Sequence, residues 1–276
     1  MLLKGKNAVV FGAAGSLGTA LSKAFAKEGA TVYLSGRRLQ PVQALTDEII
    51  AGGGKAYADQ VDALVAGEVN SYVDRVAAQA GRIDLAINLI SLEDRQNMLL
   101  TEMAPEDFER PVQRATRTHF LTATAVARKM IPFRSGVILS LTATPGGIGY
   151  ALTGGFGPAC CVMESFSRNL AAELGIHNIR VVNIRSGGSP DSRVFREAIE
   201  QGGDRTAAFI DKIKNDTMLK AMPLMQDIAD AAVFLASDKA SRITGVTLDV
   251  TAGTTAALNY KMTDIAFLEE EDNRWR

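Results

Sequence analysis

The chain has 276 residues, 30 of them basic and 31 acidic, for a formal net charge of −1, and 47% of it is hydrophobic. That length buries a full core in one large domain, and the balanced charge excludes the basic footprint of a nucleic-acid binder. No apolar run reaches the roughly 18 residues of a membrane span, two histidines without clustered carboxylates offer no metal-ligand spacing, and the adjacent Cys160 and Cys161 make no disulfide framework.

Residues 1–6 lack a signal-peptide core and run straight into an apolar stretch, so a cytoplasmic protein is expected. The stretch 7–11 has strand length and meets a glycine turn, Gly12-Ala13-Ala14-Gly15-Ser16-Leu17-Gly18. Behind it Ala20, Leu21, Ala24 and Phe25 recur at helical spacing, Gly29 supplies a stop, and 31–34 reads as a second strand. Strand, glycine turn, helix and strand open a dinucleotide-binding βαβ unit. Glycine lets the backbone turn sharply beside a pyrophosphate, and the helix N-terminus offers unpaired N–H groups.

The alternation continues to the end of the domain. A third strand is expected over 55–58, a helix over 65–79 stopped by Gly81, and a strand covered on both faces over 84–90. A long helix runs from Pro105 to Met130 and ends at Pro132. A fifth strand follows over 136–141, a helix over 158–174 closed by Gly175, and a sixth strand over 179–184. Residues 186–214 read as a polar surface excursion with one or two helices, 227–235 as a helix and 245–250 as a seventh strand. Strands alternating with helices predict an α/β fold of Rossmann type, a doubly wound parallel sheet of seven strands in a single domain over 1–258. Residues 259–276 are less regular; they read as a solvated tail, or as an arm anchored on a neighbouring subunit by Phe267 or Trp275.

The order of segments resembles the short-chain dehydrogenase/reductase family over residues 5 to 255. Gly81-Arg82-Ile83-Asp84 before an Asn-bearing strand, Ala171-Ala172-Glu173-Leu174 before Asn178-Ile179-Arg180-Val181, and Asp227-Ile228-Ala229 with Ile243-Thr244-Gly245 carry the likeness. The resemblance implies a nucleotide site at Gly12, Gly15, Ser16, Leu17 and Gly18, although Ser16 replaces the family's middle glycine. After the second strand, Arg37 and Arg38 stand where an acidic residue would hold a ribose 2′-hydroxyl. Two arginines suit a 2′-phosphate, which favours NADP(H) over NAD(H). Asp62 matches the aspartate near the adenine, Asn88 the first residue of the family's Asn-Asn-Ala-Gly, and Gly188 and Ser192 the stretch near the carboxamide.

The family's catalytic Asn-Ser-Tyr-Lys tetrad falls, by the same alignment, on Ala115, Ala143, Phe156 and Cys160. Phenylalanine keeps a ring and deletes the proton donor. Thr142 and Tyr150 remain as weak substitutes: Thr142 flanks Ala143, and Tyr150 lies on the loop that lines the family's cleft. Cys160 reads as a small buried hydrophobe or a nucleophile lacking an activating base, and His119 as a packed histidine or one facing the cleft. Arg185, at the end of the sixth strand, either holds an anionic group or pairs with a carboxylate. Family members pair through the long helix and the helix bearing Phe156, so a homodimer or homotetramer is implied, with Ala123, Ala127, Ala159 and Met163 as contact faces. The missing tetrad favours a non-redox enzyme acting on a small molecule, or a nucleotide-binding partner subunit. An NADPH-dependent carbonyl reductase using substitute groups is the alternative.

Overall fold

The computed structural model describes residues 1–257. Phe267, Trp275 and the rest of the expected tail lie outside them. Seven parallel strands, β1 (Asn7–Phe11), β2 (Thr31–Gly36), β3 (Lys55–Gln60), β4 (Leu85–Asn88), β5 (Gly136–Ala143), β6 (Ile179–Ser186) and β7 (Thr247–Val250), form one sheet in the order β3-β2-β1-β4-β5-β6-β7. Chain order reverses between β1 and β4, which pair from Ala8 with Leu85 to Phe11 with Asn88. In a doubly wound sheet this switch point opens the ligand crevice, at the carboxyl ends of the strands.

Helices cover both faces because the strand residues alternate between two apolar cores. Val10, Leu34, Ile87, Leu139 and Ile184 face α1 (Ser16–Lys27), α2 (Leu39–Ala51) and α7 (Met225–Ala236). Val9, Phe11, Ala86, Ile138 and Val181 face α3 (Ala66–Ala80), α4 (Pro105–Met130) and α5 (Phe156–Leu174). Helix α2 is an addition to the elements expected from sequence, although its buried Val42, Leu45, Thr46 and Ile49 recur at helical spacing. The fourth strand is shorter than expected, because the Asn88 side-chain oxygen accepts from the N–H of Ile90 (2.9 Å) and turns the chain. Helix α5 starts two residues before Pro158, whose missing N–H falls harmlessly in the first turn. The polar excursion is α6 (Arg193–Asp216), broken at Gly203 where φ is 54°.

The expected contact faces for a second subunit are corrected here. Ala123, Ala127, Ala159 and Met163 are all buried in the cores of this chain. What α4 and α5 leave outside is an aromatic pair, the half-exposed Phe120 meeting Phe166 edge to face with ring centres 6.4 Å apart.

His119 packs beneath α4 and does not reach the cleft. Its Nδ1 lies 3.1 Å from the Ala115 carbonyl, which assigns the proton to that nitrogen, and its buried Nε2 has no protein partner among the described residues. His119 borders a cavity of about 20 Å3, water-sized and lined also by Thr122, Ser140 and Ser167. Burial pulls the imidazole pKa down to about 4, against a smaller opposing effect from the Ala115 carbonyl. The unfolded chain therefore takes up a proton near pH 6.5 that the folded chain refuses until about pH 4. Stability should fall as pH drops through that window, by at most about 1.4 kcal/mol per unit, and His119→Leu should flatten the slope in urea denaturation series between pH 7 and 4.

Candidate active site at the switch point

The glycine turn is built to a tight specification. Gly12 has φ of 78°, and a Cβ there would stand 2.6 Å from the Leu89 carbonyl oxygen beyond β4. A Cβ on Gly18 would stand 2.5 Å from the carbonyls of Gly12 and Ala13, so only glycine lets α1 close on the end of β1. The N–H groups of Gly12 and Ala13 both bond the Ser35 carbonyl (2.9 and 3.0 Å), tying the turn to β2. Gly15 is the N-cap of α1, and a Cβ there would make only an ordinary contact, 3.7 Å from the Gly12 carbonyl oxygen. Ser16, Leu17 and Gly18 form the first turn, whose N–H groups have no intrahelical acceptor. Open backbone donors at a helix N-terminus beside a switch point make an anion cradle.

Ser16 has a second task. Its hydroxyl oxygen accepts from the backbone N–H of Arg193 (3.2 Å) and so ties the cradle to the start of α6. Ser192 caps that helix by accepting from the Phe195 N–H (3.4 Å), and Asp191 caps α7 through the Met225 N–H (3.1 Å). Gly188, with φ of 85°, lets the chain turn from β6 toward this cap. Asn88 is fully engaged, donating to Thr122 (3.1 Å) while it accepts from Ile90. Asp62 closes β3 by accepting from the Leu64 N–H (2.9 Å). Arg37 and Arg38 follow β2 at the surface, and Arg37 meets Glu93 at 2.7 Å. Arg114 reaches the same Glu93 oxygen at 3.0 Å. Glu93, in the loop after β4, had no part in the sequence reading; as an exposed pair its hold on Arg37 is weak.

The four residues aligned with the tetrad come together. Ala115 and Cys160 are fully buried with Leu92, Ala159 and Met163, and Ala143 and Phe156 pack against that cluster. Burial pushes the Cys160 thiol up to about 12, a hydrogen bond from the Ala143 backbone lowering it in part and the nearby Glu164 raising it further. A thiol in that state is no nucleophile at neutral pH. Tyr150 stays half-buried near α6; burial first, then the charge of Asp216, holds its phenol above the ordinary range, with Lys212 opposing.

Directly beside this apolar wall lies a buried polar chain. Arg185 donates to both carboxylate oxygens of Glu164 (3.0 and 2.5 Å) and to Asp249 (2.9 Å). The Glu164 carboxylate also accepts from Thr142 (2.9 Å), whose hydroxyl accepts from Asn183 (2.7 Å), which in turn accepts from Ser140 (2.7 Å). Arg185 is thus committed to structural pairing, and the Thr142 hydroxyl is spent in the same chain. Burial pulls the Arg185 pKa down, but Glu164 and Asp249 more than restore it. Glu164 was missed from sequence, yet its signal is present: a carboxylate on the buried stripe of α5, one turn after Cys160, matched by an arginine in β6. Cβ atoms on Gly146 or Gly147 would collide with Glu164 or Arg185, so the ion pair also shapes the loop after β5.

These contacts define a dinucleotide-type α/β site. A family model described as enoyl-(acyl carrier protein) reductase matches residues 12–255, and the chain belongs to the short-chain dehydrogenase/reductase family. The 3-oxoacyl-(acyl-carrier-protein) reductase FabG of Chlamydia muridarum is 31% identical, the match covering 91% of this chain and 98% of that one. The 7alpha-hydroxysteroid dehydrogenase of Escherichia coli is 28% identical over 93% of this chain and 97% of its own. Among solved structures, NAD+-bound xylitol dehydrogenase superimposes with a TM-score of 0.85 at 22% identity, over 92% of this chain and all of that one. An actinorhodin polyketide ketoreductase variant with NADPH gives 0.82 at 20% identity, over 92% of this chain and 98% of that one.

The expectation of a non-redox enzyme or partner subunit is corrected by these relatives, which are reductases and dehydrogenases by name over nine-tenths of the chain. The physical reason is a division of labour. In nicotinamide enzymes the hydride comes from the cofactor and not from a side chain, so replaced side chains are no argument against a redox class.

The ion pair gives a direct test of packing at the site. Arg185→Met strands the buried Glu164 and should cost about 3–5 kcal/mol, whereas Glu164→Leu leaves Arg185 its half-exposed partner Asp249 and should cost less. The double variant should recover most of the loss, a coupling readable from urea denaturation of the four proteins.

Proposed function

We propose that the protein is an NADPH-dependent carbonyl reductase acting on a small ketone, with 3-oxoacyl thioesters, the class named for its reductase relatives, as the first candidates. The observation that carries this reading is the glycine cradle: first-turn N–H groups of α1, Gly15 at its N-cap, and two arginines at the end of β2. Ser16, Leu17 and Gly18 would hold the pyrophosphate, and Arg37 and Arg38 the 2′-phosphate that distinguishes NADPH from NADH. Asp62 would flank the adenine, Asn88 would keep β4 in place beside the ribose, and Gly188 and Ser192 would border the carboxamide. Bound NADPH supplies the hydride.

In this reading Ala115, Ala143, Phe156 and Cys160 replace the family's tetrad with a dry wall. The wall orients the apolar part of the substrate and excludes water, a contribution of positioning and not of proton transfer. Tyr150 supplies the proton. Held protonated across neutral pH, its phenol would give its proton to the carbonyl oxygen of the substrate and be reprotonated from solvent. The half-exposed Phe120 and Phe166 pair supports a homo-oligomer built on α4 and α5.

Titration of the purified protein with NADPH and NADH, followed by NADPH oxidation with a panel of acetoacetyl thioesters and cyclic ketones, tests the reading. NADPH should bind more tightly than NADH, and Arg37→Ala with Arg38→Ala should erase that difference. Tyr150→Phe should lower kcat by about 10²-fold and leave NADPH affinity intact. Failure of both nucleotides to bind would sink the proposal.

A further inference from the structure

The amino ends of β1, β4, β5 and β6 lie side by side at the edge of the sheet opposite Gly12. They enclose a polar basin of about 320 Å3. Each entering segment brings charge to it: Lys6 before β1, Arg82 and Asp84 before β4, Arg180 at the start of β6, and Asp238 and Arg242 after α7. Cations therefore outnumber carboxylates by two.

The existing pairs do not neutralise the basin. Lys6 holds Asp238 at 2.7 Å, and Arg82 meets Asp84 through Nε at 2.6 Å while its Nη2 donates to Ser135 (3.2 Å). The half-buried Arg180 spends its donors on the neutral carbonyls of Leu235 (2.6 Å), Ser237 (3.1 Å) and Ile243 (3.4 Å). Burial pulls its pKa down, and the charge of Asp238, which Arg180 shares with the closely paired Lys6, opposes that only in part. Arg242 has no carboxylate partner among the described residues and stands exposed on the rim. A half-buried guanidinium that must share Asp238 with Lys6, beside an exposed one with no carboxylate partner among the described residues, leaves an excess of positive charge for an anion to balance.

We propose that this basin binds a small phosphate-bearing anion, at a site separate from the dinucleotide crevice. The volume is that of a small-molecule site. The excess of two positive charges matches a phosphate dianion, and the Arg242 fork presents the parallel N–H pair that phosphate oxygens accept. Lys6 and Arg82 sit within the same wall as additional donors. Because the basin lies at the amino ends of the strands, occupancy there leaves the cradle at Gly15 free. The inference is independent of the reductase reading.

Calorimetric titration of the full chain with inorganic phosphate, and separately with glycerol 3-phosphate, against acetate at matched ionic strength is the test. Three proteins are compared: the natural chain, Arg242→Ala, and the Arg37→Ala, Arg38→Ala double variant. The expected result is saturable one-to-one phosphate binding, weakened about tenfold in Arg242→Ala and unchanged in the double variant. Lys6→Ala, in the lining of the same basin, should weaken it as well. Absence of saturable binding, or binding that survives Arg242→Ala, overturns the proposal. So does binding that disappears in the double variant, because the phosphate would then sit in the dinucleotide crevice.

Discussion

The close approach of Gly12 to the Leu89 carbonyl, with 2.6 Å for any Cβ, is the constraint on which the rest of the molecule depends. It lets β1 end in a left-handed turn directly against the end of β4, at the place where the sheet reverses its order. Gly18 then allows α1 to drop onto that turn, so the helix dipole and its open N–H groups point into the crevice. The two apolar cores on either face keep β1 and β4 in register behind it. A larger residue at either glycine would separate strand from helix and close the cradle from within.

Next to the cradle, apolar and ionic packing stand side by side. The cluster around Ala115 and Cys160 is dry, while one helical turn further along α5 the Glu164–Arg185 pair is almost completely buried. Burying an isolated charge is costly, so each partner is saturated: Glu164 by Arg185 and Thr142, Arg185 by Glu164 and Asp249. Such a pair stabilises less than its Coulomb attraction suggests, but it tolerates no loosening of one member alone. That rigidity passes to the loop after β5, where Gly146 and Gly147 fit only because they have no side chains. The loop continues to Tyr150, so the ion pair is a foundation for the segment that carries this phenol.

The apolar wall and the redox relatives fit one physical picture. A polar network that loses one member leaves the others unpaired at about 1–3 kcal/mol each, whereas replacing all of them by apolar groups can be nearly neutral. Ala115, Ala143, Phe156 and Cys160 packed together have that second character. Such a wall can bind and orient an apolar group but has no side chain that donates a proton.

Strand and helix order, the glycine turn and the family likeness were legible in the chain because each rests on local spacing: apolar alternation, glycine at tight turns, proline at helix ends. Helix α2 carried the same spacing and was passed over between two stronger strands. Contacts across the sheet were not legible in this way. Ala123, Ala127, Ala159 and Met163 read as an outer contact face because helical spacing marks a stripe without saying what covers it, and the structure puts them in its own cores. Arg185 was open between ligand and partner until β6 and α5 were seen to bring Glu164 within 2.5 Å. By itself the sequence determined the doubly wound fold, its glycine cradle and the chemical character of each position. Only the tertiary structure decided which charges meet and which hydroxyls are spent, because those depend on residues far apart in the chain being folded to within hydrogen-bond distance.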